Sequence, residues 1–176
     1  MEDKKNVMVM SGDIPNKRII IVGGGVAGMT AVTNLIDQGY PGNMITVIDK
    51  GQDVENRSED EVMLGQFGAG LFSDGKYSYL HNAVGGHLAK YFGEEKSDEL
   101  NERSLNMLLR FHPDPSKVVT SDPIEEPEFI KPYFSLRMAS NKHVGTDYLH
   151  ETGKRWNKWL IDQGVNFLWE TEVILS

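Results

Sequence analysis

The spacing of apolar and polar positions first becomes informative at Arg18. An unbroken β-branched run, Ile19-Ile20-Ile21-Val22, predicts a strand buried on both faces of a parallel sheet. From about Val26 to Gln38, Met29, Val32, Leu35 and Ile36 recur on one face, which predicts a helix. Gly39 is placed to cap its C-terminus, and Tyr40-Pro41-Gly42 forbids its continuation. Met44 to Ile48 reads as the next strand. Leu80 to Tyr91 and Asp98 to Arg110 are helix candidates, the second with a ragged face of Leu100, Leu105, Leu108 and Leu109. Phe111 to Pro132 carries Pro113, Pro115, Pro123, Pro127 and Pro132, so it predicts a linker or wrapping loop with short extended pieces. Thr146 to Gln163 predicts a helix capped by Thr146 or Asp147, with Leu149, Trp156, Trp159 and Leu160 on one face. Gly164 ends it, and Val165 to Leu175 reads as a strand.

The turn after the first strand adds chemistry to this pattern. In Gly23-Gly24-Gly25-Val26-Ala27-Gly28, Gly23 allows a sharp bend and Gly25 lets a pyrophosphate approach the main chain. Gly28 lets the helix pack close to the strand. The N–H groups and positive dipole end of that helix then point at phosphates. Asp49 ends the second strand about 20 residues after the glycines, where an acid accepts hydrogen bonds from a ribose. Strand, glycine turn, helix, strand and acid together predict a dinucleotide site; the alternative is a plain β-α-β unit with a glycine-rich turn. A carboxylate at this position repels a 2′-phosphate, so NADP is disfavoured, whereas FAD and NAD both carry a free ribose there. Val32 stands where many such helices carry Gly or Ala four residues after the third glycine.

Composition narrows the function classes. The net charge of −8 over 176 residues argues against non-specific binding to nucleic acid or to an anionic membrane. The absence of cysteine excludes disulfides, thiolate metal sites and a redox-active cysteine pair within this chain. No stretch is long and apolar enough for a membrane span, and the N-terminus lacks a signal-peptide core, so the expected location is the cytoplasm. His81, His87, His112, His143 and His150 lack metal-ligand spacing, so no metal site is expected.

Three blocks of sequence carry a resemblance. The first is Ile21 to Gly28 through Val47-Ile48-Asp49-Lys50-Gly51, with Arg57 six residues on. The second is Phe67-Gly68-Ala69-Gly70-Leu71-Phe72-Ser73-Asp74-Gly75-Lys76. The third is His143-Val144-Gly145-Thr146-Asp147-Tyr148-Leu149, followed by a helix and Phe167 to Val173. In these blocks the chain resembles the FAD-dependent dehydrogenases of the glutathione-reductase-like flavoprotein fold, most nearly a poorly characterised bacterial branch. The resemblance implies that Gly23, Gly24, Gly25, Val26, Ala27 and Gly28 meet the pyrophosphate and that Asp49, followed by Lys50, meets the adenosine ribose. It implies that Arg57 and the Gly68 to Ser73 segment, with Gly70, Leu71 and Ser73, line the cofactor, and that Val173 presents backbone groups to the adenine. Asp49 replaces the commoner Glu, which shortens its reach by one methylene.

Read from the residues alone, Arg57 is also a surface cation, Ser73-Asp74-Gly75-Lys76 a plain type I turn, and the three tryptophans core. The resulting expectation is an α/β, Rossmann-like FAD/NAD(P)-binding domain with a parallel sheet and an inserted, partly helical segment. Its parts are a mobile tail (1–17), a β-α-β unit with a glycine-rich loop (18–79), the insert (80–132) and a returning helix and strand (133–176). Such enzymes are usually well over twice this length, so the chain is expected to be the FAD-binding portion of an oxidoreductase, a split protein or a shortened relative. The alternative is a non-catalytic module holding FAD or NAD that needs a partner chain or a second copy to complete its site. The sequence assigns no catalytic residue and no substrate.

Overall fold

The computed structural model describes residues 17–81, 88–121, 127–129, 131–134 and 141–174. The expected tail lies outside the described residues apart from Lys17, as does half of the helix expected at Leu80 to Tyr91 (residues 82–87). The described elements are β1 (Ile19–Val22), α1 (Val26–Asp37), β2 (Ile45–Ile48), β3 (Lys76–Ser78), α2 (Ala89–Phe92), α3 (Glu94–Leu109), β4 (Val119–Ser121), β5 (Asn141–His143), α4 (Leu149–Asp162) and β6 (Asn166–Leu168). The fold is α/β. Two compact units divide the chain, Met1–Leu71 with Lys154–Ser176, and Phe72–Gly153. The boundaries expected at 79/80 and 132/133 both fall inside the second unit.

The first unit is built on a three-stranded parallel sheet in the order β1-β2-β6. Ile21, Val47 and Phe167 stand in one row of the register, and Val22, Ile48 and Leu168 in the next. Alternate residues point to opposite faces. On one face Ile45 and Val47 are fully buried, in a core that also holds Met29, Val32, Trp156 and Leu160. Trp156 donates its indole N–H to the hydroxyl of Thr33 at 2.7 Å, which ties α4 to α1. On the other face Ile20 is 63% exposed and Val22 65% exposed. The expectation that β1 is buried on both faces is therefore corrected, because the described residues cover one face of this strand and leave the other open.

Turn chemistry explains the ends of these elements. Gly39, at φ 88°, closes α1 with its N–H on Ile36 and the next N–H on Leu35. The last strand is much shorter than the expected Val165 to Leu175. After Leu168 the backbone turns, with Glu170 at φ 52°; its N–H donates to Gly51 O and that of Thr171 donates to Asp49 O. These bonds fold the chain over the end of β2 and stop the ladder. The loop from Gly51 to Glu61 is acidic and polar, yet Gly51, Val54 and Arg57 within it are buried.

The second unit carries an antiparallel sheet in the order β3-β5-β4, in which Lys76, His143 and Val119 share a row. Leu105 of α3 packs with Val144 and Leu149, and Tyr77, Tyr79, Leu108, Leu109 and Val118 close around them. His112 is buried and accepts from Asp114 N–H at Nδ1, leaving Nε2 to donate to Val144 O at 2.7 Å. Helix α3 starts four residues before its expected start, directly after Gly93 at φ 79°. Neither Thr146 nor Asp147 caps α4 as expected. A short 3₁₀ turn, Thr146–Tyr148, precedes the helix, and the Thr146 hydroxyl donates to Asp74 O at 3.1 Å.

Candidate functional site

The chemistry-bearing residues of the first unit gather at the carboxyl ends of β1 and β2. The glycines perform three different tasks there. Gly23 sits at φ +102°, a left-handed conformation that an L side chain resists. A Cβ on Gly28 would lie 2.1 Å from Gly23 O, so the helix is packed directly on the turn. A Cβ on Gly25 would meet nothing within 4 Å, and the same holds at Gly23. Open space therefore fronts both. Gly25 is the N-cap of α1, and no side chain caps the helix there. The first N–H groups of a helix have no partner within it, and here they belong to Val26, Ala27 and Gly28.

Asp49 stands immediately after β2 with its carboxylate among backbone amides. Oδ2 accepts from Gly24 N–H at 2.7 Å; Oδ1 accepts from Gly51 N–H at 2.8 Å and from Gly65 N–H at 3.0 Å. A carboxylate has about four acceptor sites, so most of its capacity is already used by the chain itself. Lys50, the next residue, is exposed.

Arg57 is buried, at 8% exposure. Its Nη1 donates to Gln66 O at 2.6 Å and Gly68 O at 2.7 Å, and its Nη2 to Glu61 O at 3.1 Å and Val62 O at 2.8 Å. Burial pulls the guanidinium below its ordinary pKa, while the negative charges of Asp49 and Glu61 work the other way. The surface-cation reading of Arg57 is thus corrected: the side chain gathers four carbonyls of residues 61–68. The loop so gathered touches the glycine turn. Phe67, at φ 65°, donates its N–H to Gly24 O at 2.7 Å and lays its ring 5.2 Å from that of Trp156. Gly70 is packed against Val26, where a Cβ would approach Val26 Cγ2 to 3.0 Å; Leu71 is buried.

Gly23 to Gly28, Asp49, Arg57, Gly70 and Leu71 thus belong to one unit, and hydrogen bonds or direct packing join the glycine turn to Asp49 and to the loop. Ser73 belongs to the other unit, where its hydroxyl accepts from Gly75 N–H at 3.3 Å. Val173 is 38% exposed and lies past the end of β6. Trp169 is the residue that sequence reading left in the core. Its half-buried indole covers Gly24, where a Cβ would lie 2.8 Å from the ring. No local signal placed it there: the register that pairs Ile48 with Leu168 and sets Trp169 beside Asp49 exists only in the folded sheet. Among the described residues no group of three or more His, Asp or Glu side chains is arranged to hold a metal ion, and no helix is long and apolar enough to cross a membrane.

No protein-family model matches the chain, and no curated protein matches it. Solved structures do. L-amino acid deaminase from Proteus vulgaris matches at 12% identity and a TM-score of 0.40, over 93% of this chain and 42% of that one. A thermally stable mutant of fructosyl peptide oxidase matches at 16% identity and a TM-score of 0.40, over 92% and 44%. L-proline dehydrogenase from P. horikoshii matches at 18% identity and a TM-score of 0.32, over 90% and 45%. The chain spans less than half the length of each.

Proposed function

We propose that the first unit binds FAD, with the pyrophosphate at the N-terminus of α1, and that the chain is the FAD-binding portion of an oxidoreductase. The observation that carries this reading is the open space at Gly23 and Gly25 beside a helix N-terminus that no side chain caps. A diphosphate suits that place on three counts. It accepts hydrogen bonds from the amides of Val26, Ala27 and Gly28, it meets the positive end of the helix dipole, and it needs the room a missing Cβ leaves. The three sequence blocks that resemble FAD-dependent dehydrogenases support a flavin over a nicotinamide nucleotide. The negative charge of Asp49 disfavours a 2′-phosphate. In this reading the flavin supplies the electron chemistry, and the protein holds it and excludes other geometries. Gly70 and Leu71 contribute backbone on the loop side of the turn. The substrate in this reading is a small molecule.

The test is the cofactor that travels with the purified chain. Flavin absorbance and mass analysis of the released material are expected to give FAD. Gly25→Val is expected to lose it while the protein stays folded, because Gly25 has φ −62° and open space around its missing Cβ. A colourless protein whose melting temperature is unmoved by FAD, NAD or AMP overturns the proposal.

A further inference from the structure

We infer that Trp169 is a ligand-binding residue: its indole receives the base of the bound nucleotide and makes the site prefer a purine to a pyrimidine. The inference rests on the nucleotide reading above for the diphosphate, and on the order of the strand ends for the place of the base.

The parallel strands succeed one another in the order β1-β2-β6, about 4.8 Å apart. The glycine turn follows the first of them, Asp49 the second and Trp169 the third. A nucleotide with its diphosphate at the first end and its ribose at the second therefore carries its base toward the third. Backbone bonds hold these ends together: Gly23 N–H on Ile48 O at 2.8 Å, Asp49 N–H on Leu168 O at 3.0 Å, and Thr171 N–H on Asp49 O at 2.9 Å. The last of these follows the turn at Glu170, φ 52°, so Trp169 stands where the chain bends over the end of β2.

The ring is held by two neighbours and is otherwise uncovered. It stacks on Phe167, with centroids 5.1 Å apart and planes 11° from parallel. Its Cζ3 and Cη2 edge lies over Gly24, where a Cβ would come within 2.8 Å and 3.2 Å of those atoms. It is still only half-buried, whereas Trp156 is 2% exposed and has its N–H on Thr33. Trp156 is thus a core tryptophan, and Trp169 keeps aromatic surface at the strand ends. Such a surface, fixed in place and wet, favours a flat aromatic partner, because stacking removes apolar area from both rings and aligns their quadrupoles. A nucleobase offers that face and a sugar or phosphate does not. Stacking on an aromatic side chain tolerates every base, but a purine covers more of the indole than a pyrimidine does.

The experiment measures ADP and UDP binding by calorimetry to the wild-type chain, Trp169→Phe and Trp169→Ala, at a temperature where all are folded. The two nucleotides share ribose and diphosphate and differ in the base. The wild type is expected to bind ADP about tenfold more tightly than UDP. Trp169→Ala is expected to weaken ADP by about tenfold, the size of one lost base–aromatic stack, and UDP by no more than about threefold. Trp169→Phe is expected to keep most of the preference. In the wild type the Trp169 indole N–H resonance, assigned by its loss in Trp169→Phe, is expected to shift on adding ADP. A ring that only wedges the glycine turn would, on removal, weaken both nucleotides by the same factor, and that result overturns the inference. So does equal affinity of the wild type for ADP and UDP, a Trp169→Ala chain that binds ADP as tightly as the wild type, or an indole resonance that ADP leaves unmoved. Where ADP and FAD bind and Trp169 is indifferent, the inference fails alone and the function proposed above stands. Where neither binds the wild type, both fail.

Discussion

Surface ion pairs occur in both units, Lys154 with Glu55 at 2.9 Å in the first among them, but the first unit also turns two charged side chains onto its own backbone. In the unit built on the parallel sheet, Asp49 bonds three backbone amides and Arg57 bonds four backbone carbonyls, and Arg57 is buried. In the unit built on the antiparallel sheet, charges bond one another at the surface: Lys76 with Asp74 at 2.8 Å, Lys96 with Glu99 at 2.7 Å, and His81 with Asp98 at 2.8 Å. The cause is the kind of backbone each unit has to satisfy. Helices and ladders pair their own polar groups, whereas a glycine-rich loop folded inward has amides and carbonyls that need partners from elsewhere. A charged side chain inside such a loop does what water does outside it. Exposed ion pairs replace only water and stabilise little.

The largest expected consequence lies at Arg57. Arg57→Ala removes donors from four carbonyls at once and is expected to destabilise the protein by about 4 kcal/mol in denaturant unfolding. Arg57→Lys keeps the charge but not the planar fork, and is expected to recover less than half of that loss. A loss below about 1 kcal/mol for Arg57→Ala would break the contrast between the units, because it would put a buried guanidinium on a par with a surface pair.

The parallel sheet offers an internal control. Ile45 is fully buried on one face and Ile20 is 63% exposed on the other. Ile45→Ala is expected to destabilise by about 3 kcal/mol and Ile20→Ala by less than about 1 kcal/mol, measured in the same titration. Equal losses would mean that something covers the Ile20 face in solution.

This asymmetry marks the limit of what the chain's pattern could reveal. The β-branched run of β1 and the glycine spacing after it are local signals, and both elements form within a residue of their expected ends. Whether a second layer covers Ile20 and Val22 is not a local property, so their burial was misjudged. The strand after α4 failed for a related reason. Apolar residues continue past Leu168, but the turn at Glu170 is fixed by bonds to Gly51 and Asp49 more than a hundred residues away in sequence. The antiparallel sheet was illegible because its strands are three residues long and one of them, Asn141-Lys142-His143, has no apolar alternation. At the site, the types and spacing of Gly23, Gly25, Gly28 and Asp49 were readable. The partners of Asp49 and Arg57 were not, since they are main-chain atoms that converge only when the loops close.

The smallest expected effect is the one that depends on pH. The hydrogen bond to Asp98 raises the pKa of His81 above its ordinary value; partial burial opposes this, and the charges of Asp98 and Glu94 add to it. The same hydrogen bond from His81 holds Asp98 below the usual carboxylate range. A histidine with a raised folded-state pKa binds its proton more tightly in the native protein than in the unfolded chain. Its contribution is therefore complete below the unfolded value of about 6.5 and disappears as pH rises through the higher folded value. Asp98 sets the other limit, because its contribution is lost as pH falls through its depressed pKa. The difference in stability between wild type and His81→Gln is thus expected to be greatest in weakly acidic solution and to shrink above neutrality. Unfolding curves across this range test it, with the His81 ring protons followed by NMR as a direct titration. A difference that grows toward alkaline pH would mean that neutral His81 makes the stronger bond, and that this surface pair resembles the hydrogen-bonding side chains of the other unit more than an ion pair.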